Sequence, residues 1–358
     1  MYFSVLKMDE KLAGQYDFYD FDKASSTGNT CMKKRMRIKI IIPILLIALI
    51  FTGFLTHRFF SKEQDEVSLK PLQQNVQLAW PAVGQAAIGS VEEGLLATSS
   101  QNEKMHPIAS MAKVITALAI IEKQPLKPGQ EGKTYTINRN DIAGQHAYMS
   151  EGGSVLPMRI GMKLSQYQAM QRMLIASDNN MADILVERIF GSMEAYISYA
   201  QYMLKRMSLS RTVVADASGF SPATVSTPSE LIVIGIAAVK NPVIAGIVSQ
   251  RQARVQVAGI IKNTNQLLGT EGIIGIKTGT TGKAGSCLLF AARCTDKDGQ
   301  KKTIIGVIMG DKNHNKLYSD SRDLLASAKQ GFGLAETQPM ENIVAPLPKH
   351  TTSLPIKH

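Results

Sequence analysis

Two patterns of apolar residues divide the chain. Near residue 85, and again beyond residue 270, apolar and β-branched residues come in short runs closed by Gly-containing turns, which is how strands and hairpins read in a sequence. Val83–Val91 and Leu95–Ser99 flank Glu92-Glu93-Gly94 and predict a hairpin. Gly272–Thr280, Ser286–Ala292 and Thr303–Met309 predict further strands, the last two joined by Asp296-Lys297-Asp298-Gly299. Elsewhere apolar positions recur every three or four residues and predict helices at Leu164–Ile175, Met181–Phe190, Met193–Met207, Pro228–Val239, Val243–Val248 and Tyr318–Phe332. A helix starting near Pro107, with Val114, Ile115, Leu118 and Ile121 at helical spacing, is apolar almost all round. Such a helix belongs between a sheet and a helical lobe, where no face meets water. Lys127–Leu156 is rich in Gly, Lys, Asn and Asp and predicts loops around one short strand, Thr134–Ile137. The pattern is that of an α/β (α+β) fold over residues 79–335: an antiparallel sheet flanked by helices, plus an all-helical lobe.

Outside that region the pattern changes. Ile40–Leu55 is apolar except at Pro43, Thr52 and Gly53, and Phe59-Phe60 extend it, so residues 40–60 predict a transmembrane anchor. The basic cluster Lys33-Lys34-Arg35-Met36-Arg37-Ile38-Lys39 precedes it, which orients residues 1–39 as a cytoplasmic tail and the rest outside. A cleaved signal peptide is the rival reading. The long polar segment before the apolar run, and the lack of a small-x-small site near Thr56–Ser61, count against it. Residues 61–78 are polar and predict a linker, and residues 336–358, polar and with four prolines, predict a disordered tail.

Composition adds limits. The 358 residues are 44% hydrophobic and carry a formal charge of +11. Eight Lys/Arg against five Asp/Glu give residues 1–39 a charge of +3, leaving +8 on the remainder. That excess favours an anionic wall or lipid surface, although scattered lysines on a solvated face account for it equally. Nothing in the chain resembles a nucleic-acid-binding module. Cys287 and Cys294, seven residues apart on one predicted strand, would be about 23 Å apart when extended and cannot bridge. No Cys/His spacing suggests a metal, and no cofactor motif is present.

The chemistry is concentrated in three short motifs. Ser110-Met111-Ala112-Lys113 places a serine and a lysine three positions apart at a predicted helix start, where side chains are neighbours with Cβ atoms roughly 5–6 Å apart. A serine hydroxyl needs a base to become a nucleophile, and a lysine serves only if burial or nearby positive charge lowers its pKa. Alone, this four-residue pattern is common by chance. Ser177-Asp178-Asn179 lies between two predicted helices and also suits an ordinary helix cap. Lys277-Thr278-Gly279 closes the β-branched run Ile273-Ile274-Gly275-Ile276 on a predicted strand.

In this order, S-x-x-K, S-D-N and K-T-G are the signature of penicillin-binding proteins and related β-lactamases. The chain resembles the low-molecular-mass penicillin-binding proteins, the serine D-alanyl-D-alanine carboxypeptidases, from about Ala79 to Phe332. Gaps of 67 residues between Ser110 and Ser177, and 100 between Ser177 and Lys277, suit that family, as do Asp216-Ala217-Ser218-Gly219-Phe220 and Gly275-Ile276-Lys277-Thr278-Gly279. The resemblance implies a β-lactamase/transpeptidase-like fold with its active site between sheet and helical lobe. It implies Ser110 as nucleophile, Lys113 as base, Ser177 as proton relay, and Asn179 as hydrogen-bonding partner of substrate and lysine, with Asp178 turned away to stabilise its loop. It further implies Lys277, Thr278 and Gly279 as binders of a peptide and its carboxylate, and an oxyanion hole from the N–H groups of Ser110 and Thr280. The substrate would be a peptidoglycan stem peptide ending in D-Ala-D-Ala, and β-lactam antibiotics would acylate the same serine. A basic residue near the last helix would meet the substrate carboxylate, and Lys316 is the nearest candidate. Many members of the resembled family carry a C-terminal β-domain and a terminal amphipathic anchor, and the residues after Phe332 are expected to supply neither.

A class A β-lactamase would share the motifs but needs a glutamate for deacylation, and Thr212–Phe220 has none. An endopeptidase cutting cross-links with the same residues is not separated from a carboxypeptidase by sequence. A silent wall-binding protein would have no need of both a nucleophile and a base.

Overall fold

The computed structural model describes residues 76–336. The expected cytoplasmic tail, anchor and residues 61–75 of the linker lie outside the described residues, as do residues 337–358 of the expected tail. No single helix among the described residues is long and apolar enough to cross a membrane.

The chain opens with the predicted hairpin, β1 (Gln85–Ser90) and β2 (Gly94–Thr98), antiparallel around the Glu92-Glu93-Gly94 turn. It then leaves the sheet through β3 (His106–Pro107) and a single 3-10 turn, Ala109–Met111, before helix α1 (Ala112–Lys123) begins. The expectation of a helix from Pro107 is therefore corrected. Pro107 sits opposite Val225 in a two-residue ladder with β6 (Val225–Ser226), and the Ile108 N–H donates to the Thr224 carbonyl, so these residues are held extended by a neighbour rather than by helical bonds.

The helical lobe follows. Strand β4 (Thr134–Thr136) pairs with β5 (Lys163–Ser165), close to the expected short strand. Between them, where loops were expected, lies helix α2 (Arg139–Ser150). Only Asp141 and Gln145 on it are buried, so it has no apolar stripe to betray it. What starts it is a capping box, in which the Asn138 side chain accepts from the Asp141 N–H and the Asp141 carboxylate accepts from the Asn138 N–H. Helices α3 (Gln166–Ile175), α4 (Asn179–Phe190) and α5 (Met193–Arg206) lie where the periodicity put them. Helices α6 (Pro228–Lys240) and α7 (Pro242–Val248) each carry Pro in the first turn, behind Thr227 and Asn241 caps. An unpredicted hairpin, β7 (Gln252–Val255) with β8 (Gly259–Lys262), leads back to the sheet.

The C-terminal strands β9 (Ile273–Thr281), β10 (Gly285–Thr295) and β11 (Lys301–Asp311) are followed by helix α8 (His314–Gly331) and the two-residue β12 (Ala335–Glu336). All sheet pairings are antiparallel, in the order β12-β10-β11-β1-β2. Strand β9 pairs with β10 over Ile273–Thr281, which leaves β9 at an edge. Alternation along the strands sorts the core to two faces. Leu289, Ile305 and Val307 join α1, α4 and α6 on one side, and Phe290, Ile304 and Ile308 pack with Leu317, Leu324 and Leu325 of α8 on the other. Cys287 and Cys294 are buried free thiols, one in each of these cores.

Candidate active site

Ser110 is carried not by the helix but by the 3-10 turn before it, and two unusual backbone conformations surround it. Ala109 has φ 45°, and Ser177 of the second motif has φ 62°, both in the left-handed region that costs a non-glycine residue of order 1–3 kcal/mol. The Ala109 turn is pressed between two glycines. A Cβ on Gly219, at φ 73°, would lie 1.8 Å from the Ala109 carbonyl oxygen. A Cβ on Gly279 of β9 would lie 3.0 Å from the Ser110 nitrogen and 2.9 Å from the Ile108 oxygen. Gly279 thus admits the backbone of the Ile108–Ser110 turn.

Lys113, one turn into the chain from Ser110, is fully buried. Its Nζ lies 2.8 Å from Ser110 Oγ, 2.7 Å from Asn179 Oδ1 and 2.8 Å from the Ser218 carbonyl oxygen. The last two can only accept. They therefore occupy two N–H bonds of the amine and turn its third position on Ser110, and in a neutral amine that position is a lone pair. Burial pushes Lys113 down to about 7, opposed by the carboxylates of Asp216, Asp178 and Asp183. A base with that value is poised to take a proton near neutral pH.

Asn179 owes its position to the ends of two helices. Asp178 caps α4 by accepting from the Met181 N–H, and the Asn179 N–H donates to the Ser154 carbonyl. Asp178 also forms a wholly buried ion pair with Arg172 of α3, at 3.0 Å. The Arg172 guanidinium donates in addition to the carbonyls of Leu156 and Pro157, tying the 154–157 loop to the same point. The Asp178 carboxylate is thus spent on Arg172 and on the cap of α4, while its charge still acts on Lys113 through space. Ser177 is buried two residues before Asn179, and its hydroxyl makes no hydrogen bond among the described residues.

Lys277 is also buried. Desolvation, and then repulsion from Lys113, hold it well below the usual lysine range. Its ammonium donates to the Thr278 carbonyl at 3.2 Å and lies 3.5 Å from Thr264 Oγ1, while the Thr278 hydroxyl donates to Thr264 Oγ1 at 2.7 Å. Thr264 escaped the sequence reading, because it belongs to a loop without a pattern. Its N–H reaches the Ile175 carbonyl at the end of α3, and its carbonyl accepts from Tyr318 of α8, so it spans from helical lobe to sheet. Thr280, exposed, follows Gly279 and pairs with Ser286.

The structure therefore brings Ser110, Lys113 and Asn179 into one hydrogen-bonded group, with Lys277 close enough to repel Lys113, and lays Gly279 against the Ser110 backbone. Lys316 is not part of it: its ammonium is held by both Asp320 carboxylate oxygens, at 2.8 and 3.0 Å, and its side chain is 45% exposed. Ser218, whose carbonyl holds Lys113, lies in the family-like stretch Asp216–Phe220, but nothing local in that stretch marks its carbonyl as a partner of the lysine. A hollow of about 450 Å³ between Gln124 and Gln166 contains none of these groups. No cluster of His, Cys, Asp and Glu among the described residues could hold a metal ion.

Comparison with known proteins gives the same outline. The D-alanyl-D-alanine carboxypeptidase DacC of Escherichia coli is 26% identical over 254 residues, 68% of this chain and 59% of that protein's length. A D-alanyl-D-alanine endopeptidase of the same organism is 23% identical over 60% of this chain and 69% of its own. Among solved structures, penicillin-binding protein D2 of Listeria monocytogenes, in its cefotaxime-bound form, superposes with a TM-score of 0.58 at 24% identity, over 73% of this chain and 100% of that one. It is a likeness of fold, and it matches the expected transpeptidase-like architecture of sheet and helices. Residues 84–313, which include all three motifs, match the family described as D-alanyl-D-alanine carboxypeptidase, peptidase S11, and the chain belongs to that family.

Proposed function

We propose that this protein is a serine-type D-Ala-D-Ala carboxypeptidase that removes the terminal D-alanine from peptidoglycan stem peptides and is acylated by β-lactams. The observation that carries the reading is the aim of the Lys113 amine at Ser110 Oγ, with its other two positions held by Asn179 and the Ser218 carbonyl.

The peptide would lie along the free edge of β9, adding as a strand, with its terminal carboxylate near Thr278 and Lys277. Lys113 takes the Ser110 proton as Oγ attacks the penultimate carbonyl, and the N–H groups of Ser110 and Thr280 meet the developing oxyanion. The Ser177 hydroxyl, uncommitted among the described residues, passes a proton to the departing D-alanine nitrogen. Water, activated by the same lysine, then releases the acyl group from Ser110. Neutral Lys113 does this work only because it is dry, since a solvated lysine near its ordinary 10.4 would be almost entirely protonated at pH 7.

The basic cluster before the apolar residues 40–60 supports a bacterial membrane protein, single-pass, with a cytoplasmic N-terminus and the catalytic region outside. A second reading, cleavage of peptide cross-links, is favoured by the likeness to the Escherichia coli endopeptidase. The test is intact-mass spectrometry of the full-length protein with benzylpenicillin over time, beside Ser110→Ala. A mass increase of one penicillin that the variant lacks is expected, and its absence refutes the acyl-enzyme. Incubation with a pentapeptide and with a cross-linked dimer then separates the two readings by which one releases product.

A further inference from the structure

We propose that Asp183 and Tyr148, which belong to none of the three motifs, act as a positioning pair for Lys113, supplying the negative charge that stabilises the ammonium Lys113 becomes when it takes the proton from Ser110. This rests on the reading of Lys113 as the base.

Asp183 lies four residues after Asn179 on α4, one helical turn further along the same face. Tyr148, in the last turn of α2, donates its hydroxyl to Asp183 Oδ2 at 2.7 Å, and its ring meets Phe220 edge-on at 5.4 Å. The tyrosine is packed tightly there: a Cβ on Gly153 would come within 2.9 Å of its ring and 3.0 Å of Asn179 Nδ2. Its oxygen is also 3.3 Å from Ser218 Oγ, in the residue whose carbonyl holds Lys113. That serine's hydroxyl donates to Asp216 at 2.9 Å, so each hydroxyl spends its proton on a different carboxylate.

Three carboxylates face Lys113, and they are not equally neutralised. Asp178 is paired with Arg172. Asp216 accepts from Ser218 and Thr224 and from the Phe220 and Ser221 N–H groups. Asp183 has Tyr148 alone, and its Oδ1 is buried without a partner. Glu187, one turn along α4, faces Asp183 with like charge and is itself beside Arg188, while Lys277 faces Lys113 with like charge. The least satisfied negative charge near the base is therefore Asp183. Burial pushes its carboxyl up to about 6, so it is ionised when the base works and becomes better accommodated when Lys113 turns into an ammonium.

The test is the pH dependence of the benzylpenicillin acylation rate, measured on full-length wild type, Asp183→Asn and Tyr148→Phe. Loss of the Asp183 charge makes ammonium formation harder, so the acid limb in Asp183→Asn is expected to move to lower pH by about one unit, the low end of what one nearby charge does. Tyr148→Phe removes the hydroxyl that favours the carboxylate, and is expected to move the limb the same way by less. A merely structural role would lower the rate at every pH and leave the limb in place. An unmoved limb, or one displaced to higher pH, overturns the proposal. If Asp183→Asn does not fold by circular dichroism, Tyr148→Phe decides by the same criterion. Failure of the wild type to acylate would instead overturn the assignment of the base.

Discussion

Arg172→Met tests whether the buried ion pair with Asp178 is what holds the second motif in place. Both side chains are completely buried, and burial outweighs their attraction on both sides: it pushes Arg172 down and Asp178 up from their ordinary values. The pair is thus a poor source of net stability, but breaking it is costly. Removing one partner of such a pair costs about 3–5 kcal/mol, because the other is left charged and dry. Of the two carbonyls Arg172 serves, Leu156 keeps a donor in Gln145, so only the Pro157 oxygen is orphaned. At roughly 2–4 °C per kcal/mol for a domain of this size, a loss of about 4 kcal/mol lowers the melting temperature by roughly 8–16 °C. The pH dependence is the sharper part. Without Arg172 the Asp178 carboxyl rises further above its unfolded value near 3.9, so between those two values the folded state binds more protons than the unfolded one. The variant must therefore lose stability relative to wild type as pH rises through that window, and recover some as pH falls. Differential scanning calorimetry of both proteins at pH 5 and pH 8 measures it. A variant melting within 2 °C of wild type at pH 8, or a deficit that grows toward pH 5, would refute the reasoning. Arg172→Met with Asp178→Asn should regain about half of the loss, since the amide can still cap α4.

Three further outcomes follow from the site. Acylation of wild type by benzylpenicillin should rise with pH through about 7, because Lys113 must be neutral to act, and Lys113→Met should cut the acylation rate by about 10²–10⁴, measured by stopped-flow at pH 8. Gly219→Ala should fold poorly or acylate at least tenfold more slowly, because its Cβ would strike the Ala109 carbonyl at a φ of 73°, and thermal melts with acylation assays report both. Lys316→Ala should leave KM for a D-Ala-D-Ala peptide within twofold, given its hold on Asp320. A larger rise would show that it leaves that partner to meet the substrate carboxylate.

Much of the fold was legible because its elements carry strong local patterns. The C-terminal strands are continuous β-branched runs, and α3, α4 and α5 show a clear apolar stripe. Helix α2 was not legible, since it buries so little and is set by the Asn138 cap. The hairpin of β7 and β8 was passed over for a related reason: it is four residues a side, with exposed Ile260 and Val257. The start of α1 was misplaced because Pro107 suits a first helical turn as well as it suits a two-residue ladder, and only the partner strand β6 decides between them.

By itself the sequence determined the three motifs, their order and the elements that bear them, since each depends on residues within a few positions of one another. It also identified which side chains could do the chemistry. The tertiary structure decided their state. Lys113 is pushed down to about 7 because α1, α4 and the 216–220 segment exclude water from it, and Thr264, Ser218, Tyr148 and Asp183 gain meaning only where distant segments meet. Burial and charge proximity are sums over neighbours remote in the chain, so no local pattern records them.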